Sequence, residues 1–193
     1  MDINKKIVRC SWCLKEDIYI KYHDEEWGVP VHDEIKHFEF LLLETMQAGL
    51  SWLTILKRRE NYRQAFANFD PNVVACFDKT DVVRLMQDSG IIRNLRKIEA
   101  AIINAQKFLK IQEEFGLFDK FIWGFTDGKV VRNSWETVTQ IQPTTALSDR
   151  VTKELKLRGF KFVGSTTVYA HLQAIGVVND HVVDCFRSKI LCK

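Results

Sequence analysis

The stretch Leu85–Ala105, LMQDSGIIRNLRKIEAAIINA, decides the reading of this chain. A helical pattern runs to Gln87, breaks at Ser89-Gly90, and resumes near Arg93. The signals predict a helix over Asp81–Gln87 capped by Thr80. A tight turn containing Gly90 follows, then a long helix from about Arg93 to Phe115, stopped by Gly116. Outward from this hairpin the same kind of signal repeats. Pro30 and Asp33 open a helical pattern over Glu34–Arg58, which Ala48-Gly49 can loosen or bend. Asn61–Asn68 reads as a short helix, and Asp70-Pro71 caps and starts another. Phe118–Phe125 is aromatic and helical. The segment from the Asp127-Gly128 turn to Pro143 carries the weakest signal. Ser148 caps a helix ending near Arg158-Gly159, and Ser165 caps one ending at Gly176. Asn179-Asp180 reads as a turn or cap before His181. The expectation is an all-α protein.

Composition agrees. Gly plus Pro number only 12 in 193 residues, too few breakers for a many-turned β fold. A hydrophobic content of 46% supports a core, and the length fits a single domain over residues 1–193, built as two helical lobes. The net charge of +3 permits nucleic acid as a partner without announcing it. Met1–Val8 has no apolar signal region, and the uncharged run Thr45–Leu56 is far short of the about 20 residues that span a bilayer. Five cysteines without an export signal point to free thiols or metal ligands in a reducing cytoplasm. No membrane association and no obligate protein partner are expected.

Four groups of residues can carry chemistry. Cys10 and Cys13 form a C-x2-C pair, and His181 and Cys185 share one helical face. Together they make a sulfur and nitrogen set suited to Zn²⁺, with His23 as a fifth candidate; otherwise they are buried thiols and surface histidines. Glu44, Gln47, Ser51, Thr54 and Arg58 follow 3-4-3-4 spacing. By periodicity that stripe faces water; the alternative is the lining of a polar cleft, which the small Ala48 and Gly49 would let a flat ligand approach. Trp12, Tyr19, Tyr22, Trp27 and Trp52 either fill the core, which is favoured for Trp27, or form a box for a flat cation beside a carboxylate. Finally, Arg93, Arg96 and Lys97 open the long helix. With the amides near Gly90 they can grip phosphate, or they form an ordinary solvated face.

The block YHDEEWGVPVHDEIKHFEFLLLETMQAGLSWLTILKRRENYRQAF from Tyr22 resembles the DNA-3-methyladenine glycosylase I family. So do Leu85–Ala105, KLRGFKFVGSTTVYAHLQAIG and VNDHVVDC, in the same order and over almost the whole chain. The resemblance implies a helix-hairpin-helix glycosylase fold, with a hairpin over about residues 85–105. It implies one structural Zn²⁺ on Cys10, His23, His181 and Cys185, joining the two ends of the chain, so His23 takes the place that spacing gave to Cys13. It places the base-recognising and catalytic glutamate on Glu44, against the solvent-face expectation. The pocket aromatics fall on Trp12, Tyr19, Tyr22 and Trp52. The partner it implies is duplex DNA containing 3-methyladenine, with phosphates held near Gly90, Arg93 and Lys97. The chain departs from the wider superfamily twice: Ser89-Gly90-Ile91-Ile92 carries one Gly and no Pro, and no counterpart of the usual aspartate follows the hairpin. No pocket lysine offers a Schiff base, so base removal without strand cleavage is expected. A zinc-stapled module that binds a cationic purine without cleaving it shares these features, as does, more weakly, a non-enzymatic DNA-binding protein.

Overall fold

The computed structural model describes residues 7–190. Residues 1–6 and 191–193, which hold most of the N-terminal stretch read for a signal and Cys192, lie outside them. The α-helices are α1 (Asp17–Glu25), α2 (Glu34–Gln47), α3 (Trp52–Leu56), α4 (Arg59–Ala65), α5 (Pro71–Val74), α6 (Lys79–Gln87), α7 (Leu95–Phe115), α8 (Phe118–Gly124), α9 (Ala146–Leu157), α10 (Ser165–Ala174) and α11 (Phe186–Ile190). The fold is mostly helical, as expected. Among the described residues strand is confined to β1 (Val131–Arg132) and β2 (Val178–Asn179), which pair in parallel; Asn179 ends β2, and its side chain accepts the His181 amide at 3.1 Å, the turn contact expected there.

The centre is α2. Asp33 starts it by accepting the Lys36 amide at 2.8 Å. Every residue from His37 to Met46 is buried, so this helix is covered on all sides. It packs against α3, α7, α8 and α10. Phe38 meets Phe108 of α7, and Phe108 stacks on Phe118 of α8 at 4.3 Å between centroids. The predicted helix over Glu34–Arg58 is really α2 and α3, with α4 beginning just beyond. Gly49 turns the chain at φ +80, a conformation that side chains with a Cβ resist, and Ser51 caps α3 through the Thr54 amide. The break ends the helical register, so the stripe from Glu44 to Arg58 is not one face.

Three caps differ from expectation. Asp78, not Thr80, caps α6, in a reciprocal box with Asp81. Thr145 caps α9, with Ser148 as its box partner. Ser165 is the first residue of α10, behind Gly164. In each case the cap is the last residue with extended backbone angles. The long helix begins at Leu95, behind Asn94, and stops at Gly116 with φ +83.

The end of α10 brings the two chain ends together. The Gly28 and Val31 amides donate to Gln173 and Ile175 carbonyls at 2.9 and 3.0 Å. A Cβ on Gly176 would lie 2.3 Å from the Val29 backbone, so a side chain there would push the segments apart. This contact sets the N-terminal aromatics against the C-terminal His181 and Cys185.

Candidate base pocket and metal centre

Two polar sites are buried side by side. The first is a Cys/His cluster. Cys10, just ahead of α1, His23 on α1, and His181 and Cys185 beyond β2 are all buried, with ligand atoms within 4.8 Å of one another. Cys10 Sγ is 3.7 Å from His181 Nδ1, and Cys185 Sγ is 3.5 Å from both His181 Nδ1 and His23 Nε2. Tetrahedral zinc with its usual bond lengths needs about 3.6 Å between sulfur and nitrogen ligands. The remaining ring nitrogens are committed. His23 Nδ1 donates to Asp24 at 2.8 Å, His181 Nε2 donates to the Trp27 carbonyl at 2.9 Å, and Arg9 holds Asp24. Both imidazoles therefore turn a lone pair toward the cluster centre. The residues fit a metal ion by donor chemistry, spacing and tautomer. Cys13 is buried nearby, but its thiol donates to the Cys10 carbonyl and it lies outside the cluster, where His23 stands instead.

The second site is a cavity of about 460 Å³ lined by Trp12, Tyr19, Tyr22, Glu44 and Trp52, with Trp27 beside them. Tyr19 and Tyr22 come from α1, Glu44 from α2 and Trp52 from the first turn of α3. Trp12 meets Tyr19 edge-on at 4.9 Å and Trp27 at 5.0 Å. Tyr22 and Trp52 lie 5.3 Å apart, tilted by 52°. Trp27 also packs on His181 at 4.6 Å, so it serves as core, as expected, and as the wall shared by the two sites.

Glu44 is 3% exposed, which overturns the solvent-face reading. Among the described residues its Oε2 has no hydrogen-bond partner. Burial alone pushes its carboxyl up to about 8, because among the described residues no cation stabilises the charged form. Burial, with the nearby Glu44 charge as the next cause, also raises the Tyr22 hydroxyl well above its ordinary value. The cavity is thus an aromatic box with an uncompensated acid in its wall, an environment that attracts a flat cation and repels an anion.

A second cavity of about 340 Å³ shares Glu44, Gln47, Thr166 and Ala170 with the first and opens past Gly49 and Leu50. Gln47 lines the cavity with Glu44, as the cleft alternative for their stripe had it, but sequence reasoning missed Thr166, Tyr169 and Gln173. It also missed the wall from Val138 to Pro143, which came from the segment with the weakest signal. Asp180 organises that side: it accepts from Tyr169, from Gln173 at 2.6 Å, and from Asn133 and Trp135 at 2.7 Å. The separation of these residues in sequence left no local signal to read.

The hairpin reading needs correction. Arg93 and Arg96 are exposed, but Lys97 is 5% exposed and its ammonium donates to the Met46 and Ala48 carbonyls at 2.7 Å each. It faces α2, so it is not placed to grip phosphate. Its position in the first turn puts it on the inner face, beside Ile98 and Ala101. The Gly90 amide donates to Asp88 at 2.8 Å and the Ile92 amide to Tyr62 at 3.0 Å, so both are engaged within the protein. Among the described residues no helix is long and apolar enough to cross a membrane.

A family model described as methyladenine glycosylase matches residues 12–188. A relative in Escherichia coli (strain K12), "DNA-3-methyladenine glycosylase 1", is 49% identical over 92% of this chain and 95% of its own. A "DNA-3-methyladenine glycosylase" of Haemophilus influenzae is 45% identical over 92% and 96%. The solved structure of a 3-methyladenine DNA glycosylase I variant in complex with 3-methyladenine superposes with a TM-score of 0.90 at 38% identity, covering 93% of this chain and 97% of that one. The chain belongs to the methyladenine glycosylase family.

Proposed function

We propose that this protein hydrolyses the N-glycosidic bond of 3-methyladenine in alkylated duplex DNA, the first step of base-excision repair, in the cytoplasm. The observation that carries the proposal is Glu44, a buried carboxylate without a partner in an aromatic cavity. Methylation at N3 makes the base cationic and a good leaving group, so little acid catalysis is needed. The nucleotide must leave the helix to reach the cavity. There the base lies against one of the two tilted rings, Tyr22 or Trp52, with the other at its edge. Glu44 accepts hydrogen bonds from the base and its charge compensates the cation. Water attacks the anomeric carbon, the bond to the base breaks with its electron pair moving onto the base, the base leaves neutral, and the proton shed by the attacking water passes to solvent. Glu44 also offsets the positive charge that develops on the sugar. Neutral purines gain less from this pocket and are excluded by that difference. Outside it, Arg93 meets the phosphates.

Cys10, His23, His181 and Cys185 would hold one Zn²⁺ with every position filled by protein. Such an ion supplies rigidity and no reactive site. Held there, it would join α1 to the C-terminal segment behind Trp27. Chelation should therefore lower Tm before it lowers the rate of molecules still folded.

The test is release of free purines from DNA treated with a methylating agent, separated by chromatography. Release of 3-methyladenine but not 7-methylguanine supports the reading. A folded, metal-loaded protein that releases nothing would put a non-cleaving purine-binding module in its place. Arg93→Ala should weaken DNA binding and reduce the slope of log K against log salt by about 1, with base choice unchanged.

A further inference from the structure

Lys97 finishes a helix that is not its own. Its backbone sits in the first turn of α7, but its ammonium lies at the C-terminus of α2, where the helix dipole favours a cation. It is buried, and among the described residues no carboxylate pairs with it. Its ammonium is spent on two carbonyls, Met46 in the last turn of α2 and Ala48 just beyond. Desolvation there lowers the Lys97 pKa. The turn it holds is already closed by the Leu50 amide on the Gln47 carbonyl, and Gly49 supplies the φ that the turn requires. A second fastening, made with a desolvated cation, is more than helix termination needs.

Its two ends explain it. Gln47, Ala48, Gly49 and Leu50 line the second cavity, between Glu44 and solvent. Lys97 stands on the helix that leaves the hairpin, three residues past the Asn94 cap. It fixes the rim of the pocket to the start of α7, just past Arg93 in the hairpin turn.

We infer that Lys97 is a positioning residue for base excision, holding the Gln47–Leu50 rim in register with the hairpin so that a nucleotide delivered from the duplex meets Glu44 in a reactive pose. The inference rests on the glycosylase reading above. A rim shifted by about 1 Å costs excision on the order of a hundredfold while leaving the aromatic box intact.

The experiment compares wild type with Lys97→Met, Lys97→Arg and Leu155→Ala. Leu155 is buried in α9, so its truncation serves as a purely destabilising control. Three quantities are measured below each protein's Tm: the single-turnover rate of 3-methyladenine release from DNA, the affinity for free 3-methyladenine by tryptophan fluorescence, and Tm. In Lys97→Met the rate should fall about ten- to a hundredfold while affinity for the free base changes less than about threefold. Leu155→Ala should lower Tm and leave the rate unchanged. If Lys97→Met does not fold, Lys97→Arg decides. It keeps donors for the two carbonyls and should recover Tm, but its longer side chain displaces the rim, so the rate stays low. A wild-type rate in the folded Lys97 variants would make Lys97 a structural cap only and overturn the inference. So would a loss of free-base affinity in proportion to the rate. A wild type that releases no base overturns the glycosylase reading itself, and this inference with it.

Discussion

Glu39 and Glu44 are both buried on α2, yet their surroundings are opposite. Glu39, 0% exposed, sits in a cage of cations: Arg59 at 2.8 Å, Arg63 at 2.7 Å and Lys36 at 2.9 Å. Arg59 is itself gripped by both oxygens of Glu26. Burial pushes the Glu39 carboxyl up, but the hydrogen bond and charge of Arg59, then those of Lys36, more than offset this, and it ends below its ordinary value. Glu44 has the burial without the cage. A buried charge is expensive and proteins normally pair it, as Glu39 does. Left unpaired, Glu44 is pushed toward its neutral form instead. The cage serves stability, whereas the partner we propose for Glu44 is the incoming cationic base.

The contrast predicts opposite results for the same substitution. Glu44→Gln keeps shape and loses charge; release of 3-methyladenine should fall at least about a hundredfold. A folded Glu44→Gln with wild-type release rates would remove Glu44 from the chemistry. Glu39→Gln should cost about 3 kcal/mol, seen by urea unfolding, because it strands Arg59 and Arg63, while release per folded molecule stays near wild type. If it instead stabilised the protein, the cage would not be an anchor.

pH separates the two acids further. The Glu44 carboxyl ionises near 8 in the folded state and at about 4.3 when unfolded, so the folded state binds the proton more tightly. Its burial costs nothing below about pH 4.3, and stability is lost as pH rises through this window, on the order of 4 kcal/mol by pH 8. Glu44→Gln should therefore match wild-type Tm at pH 4 and exceed it at pH 8. In wild type, kcat/KM should rise toward pH 8 as the free acid ionises. For Glu39, whose folded value is lowered, the sign reverses: its stabilisation is present above the unfolded value and fades as pH falls through the folded one. The smallest effect belongs to Arg63→Ala. Arg63 is 30% exposed and is one of three cations in the cage, so about 1 kcal/mol should be lost by the same unfolding measurement.

Much of this was legible in the chain. Asp33, Asp70 and Gly116 marked helix ends because capping is local, set by a few neighbouring residues. The long blocks that resemble the family carried the assignment of Glu44 and His23. Residue spacing alone would have chosen water for Glu44 and Cys13 for the metal. Periodicity assumes an unbroken helix, and Gly49 breaks it; ligand spacing assumes that neighbours in sequence share a site, and His23 reaches Cys185 across the whole fold.

By itself the sequence determined a helical protein with a hairpin and an apolar central helix, and offered candidate sulfur and nitrogen ligands, since these follow from local backbone preference and residue chemistry. Only the tertiary structure decided which acid on that helix is paired, and that Lys97 turns inward to the α2 carbonyls. It alone showed that Asp180 ties Tyr169 and Gln173 of the pocket wall to Asn133 and Trp135. Pairing and burial depend on what the other helices bring within reach, and the order of residues in one helix does not contain that.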